Sequence, residues 1–436
     1  MLHGLQPASV RTLLYSNHTR NHHRRRQKML ESNRTVSMKT AWERRYVPAD
    51  GVEKMYLLIE VRGSSSRRAE RPPLNLALVL DRSGSMAGAP IEYSKRACRF
   101  VAEQMREGDR LSLVVFDDEV QTIDPPTKER IAAIQPGGTT NLSGGLKEGA
   151  RQVRKHVASR TTNRVLLLSD GHANQGITSR EKLGAIAKEY LASGVSVTAM
   201  GVGDGFDEEL LETIAERGGG RFYYIGSPEE IPNIFENELQ GLLSTIAHQV
   251  KLTLRPADGT RVTNVFGAPS ESDARGTIVS VGDLGDGAGK TVLVELAMKP
   301  RQLGRQAALT LALEYTDVTD GVKHCEFVME VPVEATSDRE LLELPSDPEV
   351  TKQVELTRSA QAIEAAMAAL DDGRSEEGQR LLREQAEHLR EMSFALNAPS
   401  LAEESELLSA QLADFSYDRA ARKKLHAQKY RQMKGK

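Results

Sequence analysis

Residues 74–85 read LNLALVLDRSGS and carry the clearest signal of the fold class. Positions 74–80 form a nearly continuous apolar run, which is typical of a parallel strand that is covered on both faces. Apolar residues then recur at helical spacing from Ile91 to Met105, after Pro90, a residue suited to a first helical turn. The stretch therefore predicts the first strand, turn and helix of an α/β sheet.

The same alternation continues as far as residue 246. Further predicted strands lie at 111–116, 165–169, 195–202 and 222–225. Predicted helices lie at 142–156, 180–193, 207–217 and 229–246. Strands that alternate with helices predict a doubly wound, mostly parallel, Rossmann-like sheet, in which ligands bind at the carboxyl ends of the strands.

The sequence on either side of this α/β segment has a different period. After residue 247, apolar and polar residues alternate in short segments at 249–254, 260–265, 277–281, 291–298, 308–315 and 325–333. Residues 55–61 have the same character, so we expect the α/β domain to be inserted in an antiparallel β-sandwich. Beyond about residue 347, apolar stripes at steps of three and four predict a helical hairpin or small bundle.

These patterns divide the chain into five predicted segments. They are a basic, disordered extension (1–40), the first strand or strands of the sandwich (41–71), the α/β domain (72–246), the rest of the sandwich (247–335) and helices with a basic tail (336–436). The extension holds eight Lys or Arg against one acid, and could also be sequence upstream of a start at Met29 or Met38. Residues 419–436 carry eight basic and no acidic residues, so we expect a frayed helix with a solvated cationic tail.

Composition excludes several classes of protein. In 436 residues, 58 Lys and Arg nearly balance 61 Asp and Glu, which argues against a surface built throughout for nucleic acid. The two cysteines, Cys98 and Cys325, cannot form a disulfide framework, and no apolar run approaches the roughly 18–20 residues of a membrane span. We expect a cytoplasmic protein without a secretory signal, a membrane span or a specific nucleic-acid partner, while secretion by a non-standard route and the oligomeric state stay open.

Polar side chains follow the predicted strands at one edge of the sheet. Asp81, Ser83 and Ser85 follow the first strand, GGTTNL at 137–142 precedes a helix, and SDG at 169–171 ends a third strand. Carboxylate and hydroxyl oxygens suit Mg²⁺ and also Mn²⁺, whereas Zn²⁺ prefers His or Cys. An ion with few charged ligands will take one more oxygen, which a carboxylate from a partner would supply.

These residues resemble the metal-ion-dependent adhesion site, DxSxS…T…D, of a von Willebrand factor type A domain. The motif residues in this sequence are Asp81, Ser83, Ser85, Thr140 and Asp170. The resemblance covers about residues 74–246 and extends loosely over 40–335, as in bacterial proteins that have this domain set in a β-sandwich. It implies that Ser83 and Ser85 bind the ion directly, and leaves open whether Asp81 and Thr140 do so or act through water.

The choice between Thr139 and Thr140 stays open. Thr140 is preferred because it stands six residues before Leu146, the spacing that the resemblance implies. Asp and Ser residues also cap helices, but a cap does not account for two further polar loops at the same edge.

Other polar residues near this edge have several interpretations. We expect Asp204 to cap the helix that follows it, and Asp117 and Asp118 to be solvated turn residues. His172 and Asn174 lie just beyond the motif aspartate, where they either contact a partner or line the loop.

Signals for catalysis are weak. The Asp81-x-Ser83 pair lacks the second carboxylate of the aspartyl-phosphate phosphatases, and no serine lies in a GxSxG elbow. The segment GDGAGKT at 285–291 resembles a P-loop, but its spacing fails and it joins two strands, so we expect a hairpin turn.

We therefore expect a non-enzymatic, Mg²⁺-dependent protein-interaction module, whose ion takes an Asp or Glu from a partner of unknown identity. The resemblance also permits a regulatory subunit of a larger ATPase or metal-chelatase complex. A metal-dependent hydrolase is the third alternative.

Overall fold

The computed structural model describes residues 35–65, 71–413 and 419–434. Its strands, numbered in chain order, are β1 (Val36–Trp42), β2 (Tyr46–Pro48), β3 (Val52–Gly63), β4 (Leu74–Asp81), β5 (Arg110–Phe116), β6 (Val120–Ile123), β7 (Thr162–Ser169), β8 (Ser196–Val202), β9 (Gly219–Ile225), β10 (Thr245–Pro256), β11 (Thr260–Phe266), β12 (Ser270–Asp273), β13 (Gly276–Gly285), β14 (Gly289–Met298), β15 (Gly304–Asp317) and β16 (Lys323–Thr336).

The helices of the described residues are likewise numbered in chain order. They are α1 (Ala89–Gln104), α2 (Lys128–Ala132), α3 (Leu142–Arg154), α4 (Arg180–Ala192), α5 (Glu208–Arg217), α6 (Ile231–Leu243), α7 (Arg339–Leu342), α8 (Pro348–Asp371), α9 (Ser375–Ala395), α10 (Pro399–Ala413) and α11 (Arg419–Met433). Within the described ranges, none of them combines the length and the apolar character that a membrane crossing requires.

The α/β sheet lies at the centre of the middle domain. Its strand order is β6-β5-β4-β7-β8-β9, in which β5 and β6 pair antiparallel and all other neighbours pair parallel. The predicted doubly wound, mostly parallel sheet is therefore confirmed. The chain passes from β4 to β5 on one side and later to β7 on the other, so the carboxyl end of β4 lies where the strand order reverses.

Burial on both faces explains the apolar run of β4. All eight residues of this strand are buried. Val79 packs in the core beneath α3, α4 and α5, whereas Leu78 and Leu80 pack in the core beneath α1 and α6. Because successive side chains of a strand point to opposite faces, a strand with helices on both faces has little room for polar side chains.

The remaining strands form a β-sandwich around one apolar core. One sheet has the order β1-β3-β14-β11 and the other β12-β13-β10-β15-β16-β2. All neighbours pair antiparallel except β16 and β2. Strand β3 precedes the α/β domain and pairs with β14, which follows it, with Ile59 opposite Val292. The expected insertion of the α/β domain in a sandwich is confirmed.

Three details differ from the expectations. Strand β1 begins at Val36, whose side chain is buried in the sandwich core, so the sandwich starts before residue 41; residues 1–34 lie outside the described residues. Helix α6 ends at Leu243 rather than at 246, because the chain there enters β10, where Ile246 is buried. The segment 285–291 is not a hairpin turn, because it carries the chain from β13 in one sheet to β14 in the other.

The C-terminal helices form a bundle that docks on the α/β domain. Helices α8, α9 and α10 share an apolar core with Leu425 of α11. The expectation of a solvated basic tail is wrong for α11. Lys423 is 3% exposed with its Nζ 2.7 Å from Glu208 Oε2 of α5, and His426 Nε2 lies 2.9 Å from Glu212 Oε2. The counter-charges for these basic residues of α11 come from an acidic face of α5, which is far from α11 in the sequence.

Candidate metal centre

The candidate site begins with Asp81 at the carboxyl end of β4. This residue is fully buried. Its Oδ1 accepts a hydrogen bond from the backbone N–H of Ser83 at 2.8 Å, and its Oδ2 accepts one from the Ser169 hydroxyl at 2.5 Å. An aspartate that accepts from the N–H two residues later forms an Asx turn. The carboxylate thus holds the turn after β4 and connects it to the end of β7.

Two serines and the second aspartate continue the cluster. Ser83 Oγ lies 3.2 Å from Ser85 Oγ, and Ser85 Oγ donates to Asp170 Oδ1 at 2.7 Å. Asp170 directly follows β7, which pairs in parallel with β4, so the two aspartates come from the ends of neighbouring strands. The oxygens of these two loops therefore belong to one hydrogen-bonded group.

The loop before α3 adds Thr140 to this group. Thr140 is buried, and its Oγ1 faces Gly171. A side chain at position 171 would meet two site oxygens at once, because its Cβ would lie 3.1 Å from Thr140 Oγ1 and 3.6 Å from Ser85 Oγ. Thr139 is exposed, and its hydroxyl donates to Gln175 Oε1 at 3.1 Å. Of the two threonines, Thr140 is the one that lies with the other four motif residues.

The glycines of this loop allow its close approach to the turn after β4. Gly84 N–H donates to Gly138 O at 3.2 Å, and Ser83 forms an isolated parallel bridge with Gly137. A Cβ built on Gly138 lies only 1.4 Å from the Asp118 carboxylate. Any larger residue there requires the exposed Asp118 side chain to move aside.

The motif residues do not cap the helix that follows them. Helix α1 has Gly88 at its N-cap and no side-chain cap hydrogen bond, and Ser83 makes none to the 3₁₀ turn Gly84–Met86. Helix capping therefore does not explain the Asp, Ser and Ser of the motif.

Two carboxylates share this site without a counter-charge. Burial, together with the nearby charge of Asp81, raises the pKa of Asp170 to about 6. Burial also raises the pKa of Asp81, although hydrogen bonds from two serines oppose the shift. Within the described residues, no basic side chain lowers either pKa, and Arg82 turns to Asp117 instead, at 3.1 Å. Two buried carboxylates that are linked through hydroxyl groups and have no basic side chain beside them form an environment that fits a divalent metal ion.

Other acidic residues at this edge differ from the expectations. Asp117 is 6% exposed and forms an ion pair with Arg82, so it is not a solvated turn residue, whereas Asp118 is exposed. Asp204 does not cap α5: that role belongs to Asp207, which accepts from a backbone N–H at 2.9 Å.

The structure gives supporting roles to two polar residues of these loops, Asn174 and Ser169. Asn174 Oδ1 accepts a hydrogen bond from the Thr140 N–H at 2.9 Å, so it orients the loop before α3 that carries Thr139 and Thr140, here called the threonine loop. His172 is exposed. Ser169 holds the Asp81 carboxylate. The sequence signal for the role of Ser169 was its position directly before Asp170, the second motif aspartate.

Comparisons with known proteins give a consistent assignment. A family model described as von Willebrand factor type A domain matches residues 75–237. The uncharacterized protein sll0103 of Synechocystis sp. is 30% identical over 285 residues, which are 61% of this chain and 67% of that protein. The uncharacterized protein YfbK of Escherichia coli is 27% identical over 58% of this chain and 46% of its own length. The matched region of this chain thus spans about two thirds of the length of sll0103 and about half of the length of YfbK.

A solved structure extends the likeness beyond the α/β domain. The structure titled von Willebrand factor type A from Catenulispora acidiphila matches with a TM-score of 0.72 and 15% identity, over 92% of this chain and 96% of that one. At this identity the match shows a shared fold, and it includes the sandwich as well as the α/β sheet.

Proposed function

Because this chain belongs to the von Willebrand factor type A domain family, we propose that its α/β domain binds a protein partner through a divalent metal ion. Such a domain is generally a protein–protein interaction module and often depends on a metal. The ion we propose is Mg²⁺, which Mn²⁺ is able to replace. The residues that would hold it are Asp81, Ser83, Ser85, Thr140 and Asp170.

The observation that carries this proposal is the convergence of hard oxygen atoms from three loops. Ser85 Oγ lies within hydrogen-bond distance of both Ser83 Oγ and Asp170 Oδ1, and Asp81 is held beside them. Mg²⁺ prefers such oxygen ligands and usually keeps several waters. When bound, the ion supplies a position for one further oxygen, and a partner's Asp or Glu carboxylate is the group that fits it.

We propose that the site acts by binding rather than by catalysis. Both carboxylate oxygens of Asp81 accept hydrogen bonds, and the side chain is fully buried. A carboxylate in this position orients the turn and is closed to attack on a substrate. A nucleophile needs an exposed atom and a neighbouring base.

The partner can be sought by affinity capture. The immobilised full chain is incubated with a lysate of its native cells in Mg²⁺ or in EDTA, and proteins retained only with Mg²⁺ are identified by mass spectrometry. We expect Asp81→Ala and Asp170→Ala to abolish this retention. The control variant Asp204→Ala removes an exposed carboxylate after β8, and we expect it to retain the same proteins as the unmodified chain. Equal retention by Asp81→Ala and the unmodified protein contradicts the proposal.

Mg²⁺ is also expected to stabilise the folded protein. A ligand that binds only the folded state contributes about 2.7 kcal/mol at a hundredfold excess over its Kd. The melting temperature measured by differential scanning fluorimetry should rise with Mg²⁺ and return with EDTA, and Asp81→Ala should not respond. A flat response of the unmodified protein speaks against a formed site.

A further inference from the structure

A cleft lies beside the turn after β4, on the side of the edge strand β6. Its volume is about 450 Å³, and Arg82, Gln121 and Arg130 line it together with an apolar floor that includes Ile123 and Ile134. No Asp or Glu of the described residues lines it. Since the chain as a whole carries slightly more acidic than basic residues, two arginines without an acid indicate a ligand of negative charge.

The cleft begins within the metal-site motif. Arg82 stands between Asp81 and Ser83, and its carbonyl accepts a hydrogen bond from the Gly137 N–H at 2.8 Å, which ties it to the loop before α3. Its guanidinium forms an ion pair with Asp117, with Nε 3.1 Å from Oδ2. The wall nearest the metal site is therefore fixed, and the charge of Arg82 is already matched.

Arg130 is the cation of the cleft that lacks a counter-charge within the described residues. Its Nη1 donates to the carbonyls of Asp124 at 2.7 Å and Pro125 at 3.4 Å, whereas its Nε and Nη2 make no hydrogen bond to any described residue. The carbonyls hold the guanidinium in place and leave one of its edges open. Two N–H groups on one edge of a guanidinium are the arrangement that binds a carboxylate through both oxygens.

The floor of the cleft fits a side chain with an apolar stem and a charged end. Val115 and Ile134, which line it, are nearly fully buried, and Ile123 is half-buried. A glutamate has two methylene groups, which lie on such a floor while the carboxylate reaches a cation at the rim. Gln121 is exposed beside them and provides amide hydrogen bonds.

We propose that the partner presents two acidic side chains, of which one completes the shell of the metal ion and the other, a glutamate, binds Arg130 in this cleft. The inference rests on the function proposed above and adds the kind of partner, an exposed acidic segment rather than a single carboxylate. Arg130 contacts the partner and not the ion, so it sets specificity without contributing to metal binding.

The test uses the full chain and end-blocked synthetic peptides in a Gly-Ser background, which carry either one glutamate or two glutamates at graded spacings. Binding in Mg²⁺ is measured by fluorine NMR line broadening of labelled peptides, a readout that detects weak complexes. At the best spacing, we expect the second glutamate to raise the affinity about fivefold, as for one partly exposed ion pair. Arg130→Gln should remove this gain and leave the affinity for the one-glutamate peptide unchanged.

Lys128→Gln is the matched control, because it removes an equal charge from the same helix, where Lys128 Nζ lies 2.7 Å from Glu103 Oε1 and does not line the cleft. It should keep the gain. The inference is overturned if no spacing gives a gain, if Arg130→Gln keeps it, or if Lys128→Gln loses it equally. These results leave Mg²⁺-dependent binding of the one-glutamate peptide intact, whereas equal binding of that peptide in Mg²⁺ and in EDTA contradicts the proposed function itself.

Discussion

At the scale of single residues, neighbouring side chains in the threonine loop have different environments. Thr140 is buried with its Oγ1 towards Gly171, while Thr139 is exposed and donates to Gln175. Asn174 fixes this arrangement through the Thr140 N–H. Two backbone hydrogen bonds, from the N–H groups of Asn174 and Gln175 to Thr140 O, hold the same segment, so the Thr140 backbone is fixed from both sides with its hydroxyl towards the carboxylates.

This difference predicts the effect of removing each hydroxyl. Valine has nearly the shape of threonine, so Thr140→Val deletes one oxygen with little change in packing. We expect the Mg²⁺ affinity of Thr140→Val, measured by titration calorimetry, to fall about tenfold or more. Thr139→Val is the matched control and should bind as the unmodified protein does. The reverse result would assign the ligand to Thr139.

The two cysteines should differ in reactivity. Cys98 is 2% exposed on α1, and burial raises the pKa of its thiol to about 12, whereas Cys325 is partly exposed. The thiolate is the reactive form, and at pH 8 a pKa of 12 leaves about one thiol in ten thousand ionised. Peptide mapping after iodoacetamide treatment should find Cys325 modified in the native protein and Cys98 modified only after unfolding. Fast native labelling of Cys98 would show that α1 opens.

At the scale of secondary-structure elements, α11 joins the bundle to the α/β domain by buried polar contacts. Lys423 Nζ donates to Phe206 O at 2.6 Å and lies 3.8 Å from the centre of the Phe206 ring. The Tyr430 hydroxyl accepts from the Phe222 N–H at 3.1 Å, and the two rings meet edge to face. These contacts fix α11 against α5 and β9.

Removing the buried lysine should release this helix. Lys423→Ala leaves Glu208, which is 7% exposed, with one cation fewer, and breaking a buried pair typically costs about 3–5 kcal/mol. We expect amide hydrogen exchange in α11 to rise strongly, together with a lower melting temperature. Lys424→Ala changes the adjacent, exposed lysine and should alter neither. Unchanged protection in Lys423→Ala would mean that apolar contacts alone hold α11.

At the scale of the whole molecule, buried charges lie where the α/β sheet meets the sandwich. Glu238 of α6 accepts hydrogen bonds from Thr198 at 2.7 Å and from Tyr223 at 2.8 Å. Burial alone would raise its pKa, but the positive charges of Arg164 and Arg221 outweigh burial and hold that pKa below the usual 4.5. Arg164 in turn pairs with Asp283 of the sandwich, so the charges of both domains are connected.

The depressed pKa of Glu238 predicts a pH dependence of stability. A carboxylate whose pKa is lower in the folded state stabilises that state fully above its unfolded pKa, and the contribution is lost as the pH falls through the folded pKa. Glu238→Gln should therefore cost about 3 kcal/mol at pH 7, and its melting temperature should approach that of the unmodified protein as the pH falls below about 4.5. Glu236→Gln, exposed on the same helix, is the control. A difference that does not depend on pH would indicate lost packing instead.

Much of the element order was predictable, and the exceptions have physical causes. Strands β4 and β7 are buried on both faces and stand out as apolar runs. Strand β6 was not predicted, because it has four residues at the edge of the sheet and its side chains are exposed or half-buried. An edge strand makes few apolar contacts, so its sequence carries no clear period.

Local sequence was enough to predict most of the strands and helices of the α/β domain, its insertion in a sandwich and the polar turn after β4, because apolar period and turn chemistry act over a few neighbouring residues. Long-range packing fixes which threonine faces the two aspartates and places the counter-charge of α11 on α5. Lys423 and Glu208 are 215 positions apart, and Ser85 and Asp170 are 85 apart. Contacts at such separations depend on how the layers pack, which no local pattern encodes.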